Sequence, residues 1–341
     1  MKWKQKIVLI LLLATGVATN TRAQDLNFSQ YFNAPLIVNP ANTGFNPDFD
    51  FRIGGNYRNK WGLSPSNPYR TMSVWADTKL FQDRFENGWL GLGGYLLKDA
   101  AGAGSLSATS GFATIAYHQM VGYNSLLSGG FGLGYTAKRI DISKLTSDNT
   151  WNGSFFDANI PSNEPYANSQ ASFLDLQVGL NYAYFASDKV YFNAGVSIGH
   201  INTPRESFFD PSVSDGRIDR RYSAFVNASI KLQDVWIVNP NVYVSKMGGN
   251  WETVVGFNAN RDLTGNGVSQ LILGLYYRNK DAFIPMVGYQ VSDLKFTINY
   301  DATVSSMAAN GTRGAYELSI VKSGIFPSSA GRAVKCPTVK F

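Results

Sequence analysis

The sequence predicts an all-β fold: a closed antiparallel transmembrane β-barrel of about fourteen strands with two long extracellular loops. Three observations predict it. They are a leader that directs export, a composition rich in glycine and aromatics but poor in charge, and repeated runs in which apolar and polar residues alternate.

Residues 1–23 read as a signal peptide. Lys2, Lys4 and Lys6 form a basic start, Ile7 to Ala18 an apolar stretch, and Thr21-Arg22-Ala23 a small-x-small cleavage site before Gln24. The apolar stretch is too short to span a bilayer as a helix. Its removal takes away four of the 30 basic residues and none of the 24 acidic ones, so the formal charge falls from +6 to +2. The basic balance is largely a targeting device, and no nucleic-acid partner is expected.

The remainder carries 33 Gly, 18 Tyr, 22 Phe and 7 Trp with only 16% charged residues, a composition that suits a wall with lipid on one side. After the leader no apolar stretch is long enough for a helical span. The single cysteine, Cys336, forms no internal disulfide.

Residues 24–50 form a periplasmic or lumen-entering N-terminal segment. Its Asn and Pro content favours turns and opposes a continuous ladder. The barrel occupies 51–324, with strands expected near 51–61, 69–80, 89–100, 105–121, 124–141, 173–187, 190–202, 222–232, 235–247, 251–263, 269–279, 281–292, 294–305 and 314–324. The clearest is Leu294 to Val304, where Leu294, Phe296, Ile298, Tyr300, Ala302 and Val304 alternate with Lys295, Thr297, Asn299, Asp301 and Thr303. A period of two puts the first row toward lipid and the second toward the lumen. Leu174 to Tyr184 and Val190 to Ile198 repeat the pattern with glycines on the inward face, where small residues leave room. Pro240 and Pro285 fall inside expected strands and mark a bulge, rim or local break.

Connection lengths orient the barrel. If the first strand runs outward, the two longest connections, 142–172 and 203–221, are external, and most connections at the other end are short. Closure is required because unsatisfied backbone groups in hydrocarbon each cost on the order of several kcal/mol. Residues 325–341 form a C-terminal periplasmic tail that carries Cys336 and the terminal Phe341.

The sequence holds no catalytic, cofactor-binding or metal-binding constellation. His118, His200 and Cys336 are remote in sequence and make no cluster. Pairing Ser110 or Ser197 with either histidine is arithmetic rather than a motif. Gly91-Leu92-Gly93-Gly94 and Gly129 to Gly134 lack the Lys-Ser/Thr ending of a phosphate loop. The loops offer more. Trp151, Phe155, Phe156 and Tyr166 in one, with Arg205, Phe208, Phe209, Arg217, Arg220 and Arg221 in the other, are residue types that bury area at protein interfaces. Tyr57-Arg58-Asn59-Lys60 recurs as Tyr277-Arg278-Asn279-Lys280, each copy at the end of an outward-running strand. The repeat reads as a chance tetrapeptide or as a charged rim, and as a rim it would face lipid headgroups or a shared ligand.

The stretch Asn27-Phe28-Ser29-Gln30-Tyr31-Phe32-Asn33-Ala34-Pro35-Leu36-Ile37-Val38-Asn39-Pro40-Ala41-Asn42-Thr43-Gly44 resembles the opening of the PorP/SprF-like outer-membrane proteins of type IX secretion systems. Tyr57-Arg58-Asn59-Lys60-Trp61, Asn181-Tyr182-Ala183-Tyr184 and Cys336-Pro337 extend the likeness along the chain. The resemblance implies a noncatalytic, multi-pass outer-membrane component of secretion or gliding, in contact with outer-membrane lipid. It would bind or anchor a secreted cargo or adhesin at the cell surface through that partner's C-terminal domain. It also implies a periplasmic, peptidoglycan-linked partner, for which Phe28, Tyr31, Phe32, Asn39 and Pro40 are the periplasmic-side candidates. The alternative is a passive outer-membrane channel or lipid-like solute transporter.

Overall fold

A computed structural model describes residues 28–46, 48–60, 69–82, 84–101, 105–142, 145, 148–157, 160, 168–209, 216–305 and 314–327. The leader, Tyr166, Cys336 and Phe341 lie outside the described residues. Fourteen antiparallel strands follow in order: β1 (Phe51–Lys60), β2 (Tyr69–Leu80), β3 (Gly88–Ala101), β4 (Leu106–Met120), β5 (Ser125–Arg139), β6 (Gln170–Ser187) and β7 (Val190–Gly199), then β8 (Arg221–Leu232), β9 (Trp236–Met247), β10 (Asn250–Asp262), β11 (Ser269–Arg278), β12 (Ala282–Val291), β13 (Leu294–Thr303) and β14 (Ala315–Gly324). Each strand pairs with its sequence neighbours, and β1 pairs with β14, Phe51 opposite Gly324, to close the barrel. Every expected strand is present with ends shifted by a few residues. The shortest have ten residues, enough to cross a hydrocarbon core when tilted. Among the described residues no helix is long and apolar enough to cross a membrane.

The alternation sorts residues as the two-residue period requires. In β13, Phe296, Ile298 and Tyr300 are exposed on the outer face, while Thr297, Asn299 and Asp301 are buried in the lumen. In β6, Leu174, Val178, Leu180, Tyr182 and Tyr184 face out, and Asp175, Asn181 and Ala183 face in. The outer row is the lipid face of a multi-spanning outer-membrane protein. Both prolines interrupt pairing locally. The β8–β9 ladder breaks between Asn227↔Asn241 and Ile230↔Val238, around Pro240, and the β12–β13 ladder between Phe283↔Ala302 and Met286↔Asn299, around Pro285. A residue without an N–H cannot complete those rungs.

Both termini of the barrel lie at one end, which we call the short-turn end. The connections at the opposite end include 140–169 and 200–220, which makes it the long-loop end. The apolar core sits inside the lumen, and residues 28–50 supply its centre. Leu36 is fully buried among Trp75, Tyr95, Phe112 and Val321, while Tyr31 and Val38 join Phe225, Tyr243, Tyr276 and Ile284. Burying one such aliphatic side chain contributes about 1.5–3 kcal/mol, so the segment is held by packing as well as by polar contacts.

Candidate functional site: a plugged lumen and its vestibule

The segment crosses the lumen from the long-loop end, where Ser29 lies, to the short-turn end, where Asp50 N–H donates to the Gly324 carbonyl and the chain enters β1. Its local form follows from its sequence. Pro35 starts a one-turn helix, Pro35–Val38, and Pro40 starts a short 3-10 turn capped by the Asn39 side chain, which accepts from Ala41 N–H at 2.8 Å.

At the upper end a buried clamp grips Ser29. Arg58 of β1 and Arg278 of β11 both donate to the Ser29 hydroxyl, at 2.8 and 2.5 Å, and both donate to Oδ2 of Asp301, at 2.7 and 3.0 Å. The hydroxyl donates in turn to the Asp301 carboxylate. Glu317 of β14 accepts the backbone N–H groups of Ser29 and Gln30 at 2.8 and 2.9 Å. Arg278 Nε also lies 3.1 Å from Glu252. Charges this deeply buried are tolerable only when paired and hydrogen-bonded, and here each of the four clamp side chains meets at least one opposite charge. The two Tyr-Arg-Asn-Lys repeats therefore aim their arginines at one serine inside the barrel. This corrects the expectation that those arginines face lipid headgroups.

Below the clamp, the inward row of β13 continues the grip. Gln30 Nε2 donates to Asn299 at 2.6 Å, and Asn33 Nδ2 donates to Thr297 at 3.0 Å. Trp75 Nε1 donates to the Asn33 carbonyl at 2.9 Å and Ser197 to the Val38 carbonyl at 2.7 Å. Tyr31 stacks on Tyr243 and Phe32 on Tyr276. Near the short-turn end His118 Nε2–H donates to the Thr43 carbonyl at 2.8 Å, while Asp77 accepts Gly44 N–H at 2.7 Å and Trp89 donates to the Gly44 carbonyl at 3.0 Å. The inward glycines make this approach feasible. A Cβ on Gly91 would overlap Thr43, one on Gly130 the Pro40–Ala41 peptide, and one on Gly179 the Asn39 side chain.

The segment divides the space inside the barrel. On the long-loop side a vestibule of about 1270 Å³ has Arg58 and Arg278 in its floor and Tyr95, Phe173 and Trp251 among its walls. On the short-turn side are cavities of about 270 and 220 Å³, both bordered by Phe32, Pro35, Asn46 and Arg52.

Phe28, Tyr31, Phe32, Asn39 and Pro40 all lie on the segment that runs through the lumen, and four of them are buried, Phe32 being half-buried. In the first long loop Trp151 and Phe156 form an antiparallel bridge with rings 5.0 Å apart, and Trp151, Phe155 and Phe156 are exposed. In the second, Arg205 bridges Arg217, Phe208 and Phe209 are half-buried, and Arg205, Arg217 and Arg220 are exposed. The loops touch, Asn168 N–H donating to the Phe208 carbonyl at 3.0 Å. Arg221 stands apart from both: it opens β8, is buried, and donates to Tyr243 Oη at 2.8 Å. None of the four considered Ser–His pairings forms, because Ser110 bonds Thr136, Ser197 bonds the Val38 carbonyl, and His118 and His200 meet Ser128 and Asp175. Among the described residues no group of acidic, histidine or cysteine side chains is placed to hold a metal ion.

The barrel is similar in fold to a deletion mutant of the TodX monoaromatic hydrocarbon channel, with TM-score 0.53 and 11% identity over 85% of this chain and 93% of that one. It is likewise similar to the Pseudomonas putida toluene transporter TodX, with TM-score 0.50 and 10% identity over 85% and 91% of the two chains. No curated protein sequence matches the chain. The family model described as type IX secretion system membrane protein PorP/SprF matches residues 20–321. A match over most of the chain, on a closed fourteen-strand barrel with a lipid-facing outer row, places this protein in the PorP/SprF family of outer-membrane proteins, with a general role in transport at that membrane.

Proposed function

We propose that this protein serves type IX secretion as a gated conduit, in which a molecule entering the vestibule passes only when residues 28–50 move. The observation that carries this reading is the position of the segment: it separates the vestibule from the cavities of the short-turn side. Passage, the alternative named from the sequence, thus becomes the leading reading, with a gate added. The fold shared with a monoaromatic hydrocarbon channel and a toluene transporter agrees with passage. The vestibule wall mixes paired charges such as Lys138–Glu206 with aromatic faces, a lining suited to a polar or amphipathic molecule. In planar bilayers the intact protein should hold a closed baseline interrupted by openings, and mild denaturant should increase their frequency. A large constant current from intact protein overturns the gate, and no current under any condition that displaces the segment overturns passage.

A second role rests on a separate observation. Trp151, Phe155 and Phe156 project from a loop with their rings exposed, the chemistry of an interface anchor. We assign the retention of a secreted cargo or adhesin C-terminal domain to this long-loop face. A periplasmic, peptidoglycan-linked component would meet the short-turn end. Affinity purification from native outer membrane tests both, since co-purification of neither class of partner removes the anchoring role.

A further inference from the structure

We propose that the lumen is a peptide-binding site, filled in cis by residues 28–46, whose ligand class is a turn-forming polypeptide carrying hydroxyl and amide side chains.

The argument starts from where the segment's main-chain groups find partners. Its own turns use the N–H groups of Asn33, Ala34, Ile37, Asn39, Asn42, Thr43 and Phe45. Side chains of the wall take main-chain groups the turns leave over. Glu317 accepts the N–H of Ser29 and of Gln30, and Asp77 accepts that of Gly44. Trp75, Ser197, His118 and Trp89 donate to the carbonyls of Asn33, Val38, Thr43 and Gly44, and Arg52 adds a bond to that of Asn42. Among the described residues no backbone-to-backbone hydrogen bond joins 28–46 to the barrel. An added strand would be held by such a ladder; this segment is instead read by side chains from β1, β2, β3, β4, β7 and β14, as a receptor reads a bound peptide. Its own side chains supply selectivity. Ser29 fills the clamp, Gln30 and Asn33 match the inward row of β13, and Asn39 donates to the carbonyls of Leu180 and Val196 at 3.0 and 3.2 Å. The glycines facing Asn39, Pro40 and Thr43 give the ligand backbone a track.

This inference deepens the conduit reading and rests on it in one respect: the element that must move is then a ligand. A competing polypeptide reaching the vestibule meets Ile37 of the segment, with Arg58 and Arg278, the arginines that grip Ser29, in the same floor.

The test uses the full chain with a site-specific protease sequence inserted between Asn46 and Asp48, cut only after the barrel has folded in detergent. The N-terminal fragment should stay bound through size-exclusion chromatography. A labelled synthetic peptide of residues 28–46 should then exchange with it, while the same peptide carrying Ser29→Ala, Gln30→Ala and Asn39→Ala should need at least about tenfold more to compete. A fragment that leaves at once from an intact barrel overturns the proposal, and so does an unrelated peptide of equal length that competes equally well. Conductance measured on the same samples separates the two readings. If displacing the fragment leaves the current unchanged, passage fails and the peptide site stands; if the fragment departs on cutting and the current rises, the peptide site fails and passage stands.

Discussion

Asp301 is the residue on which the upper end of the lumen turns. It faces two arginines whose side chains are about as buried as its own, and it also takes the Ser29 hydroxyl. Replacing it by Asn keeps the shape but removes the charge that both arginines share, leaving Glu317, 3.6 Å away, facing Arg58, and Glu252 and Asp281 facing Arg278. Breaking a buried pair from one side costs about 3–5 kcal/mol, because the remaining charge stays desolvated. Asp301→Asn should therefore lower the unfolding free energy in detergent by about that amount, read as a shift in the denaturant midpoint. A shift well under about 1 kcal/mol would mean that the clamp is solvated and holds little. A neighbouring variant isolates a single hydrogen bond. Trp75→Phe keeps most of the aromatic packing but leaves the buried Asn33 carbonyl without its indole donor, and should cost about 1–3 kcal/mol in the same assay.

At the scale of the strand, the two faces of β5 give a matched pair of substitutions. Gly129 points to lipid, where an added Cβ meets only Leu180 at ordinary contact distance, and Gly130 points inward, where it would overlap the backbone of Pro40 and Ala41. Gly129→Val should be neutral or mildly stabilising, since β-branched residues suit a strand. Gly130→Val should destabilise by about 1–3 kcal/mol or push the segment aside, seen as more frequent channel opening and faster proteolysis within 28–50. Equal behaviour of the two variants would contradict the packing of the segment against β5. The same strands explain what was readable in advance. A period of two fixes which side chains face lipid, so β6, β7 and β13 were legible residue by residue. Residues 28–50 have no such period, and Ser29 meets Asp301 across 272 positions of sequence, so only their turn chemistry was legible. The repeat at Arg58 and Arg278 was visible, but a strand end leaves open whether a long cation turns to the rim or into the lumen. Burial beside Asp301 decides that question, and Asp301 stood in plain view on the inward row of β13.

At the scale of the molecule, the two ends are built differently. The short-turn end holds the barrel termini and the exit of the segment, while the long-loop end carries the vestibule and the exposed aromatic and arginine residues of 140–169 and 200–220. The loops are joined by the Asn168–Phe208 bond, and the Lys138–Glu206 ion pair fastens the second loop to β5. The closed ladder is complete without the loops, and the cooperative core draws its stability from that ladder and from the filled lumen. Removing the loops should cost the barrel little. If the loop face retains a secreted partner, replacing 146–168 and 204–219 together by short linkers should release that partner to the medium. The barrel's resistance to unfolding in detergent and its closed conductance baseline should persist. The double replacement is the informative one, because each loop alone still presents aromatic or arginine anchors. Partner that stays bound after both are removed would place retention on the vestibule itself, and loss of the closed baseline would show that the loops, rather than the segment within the lumen, form the gate.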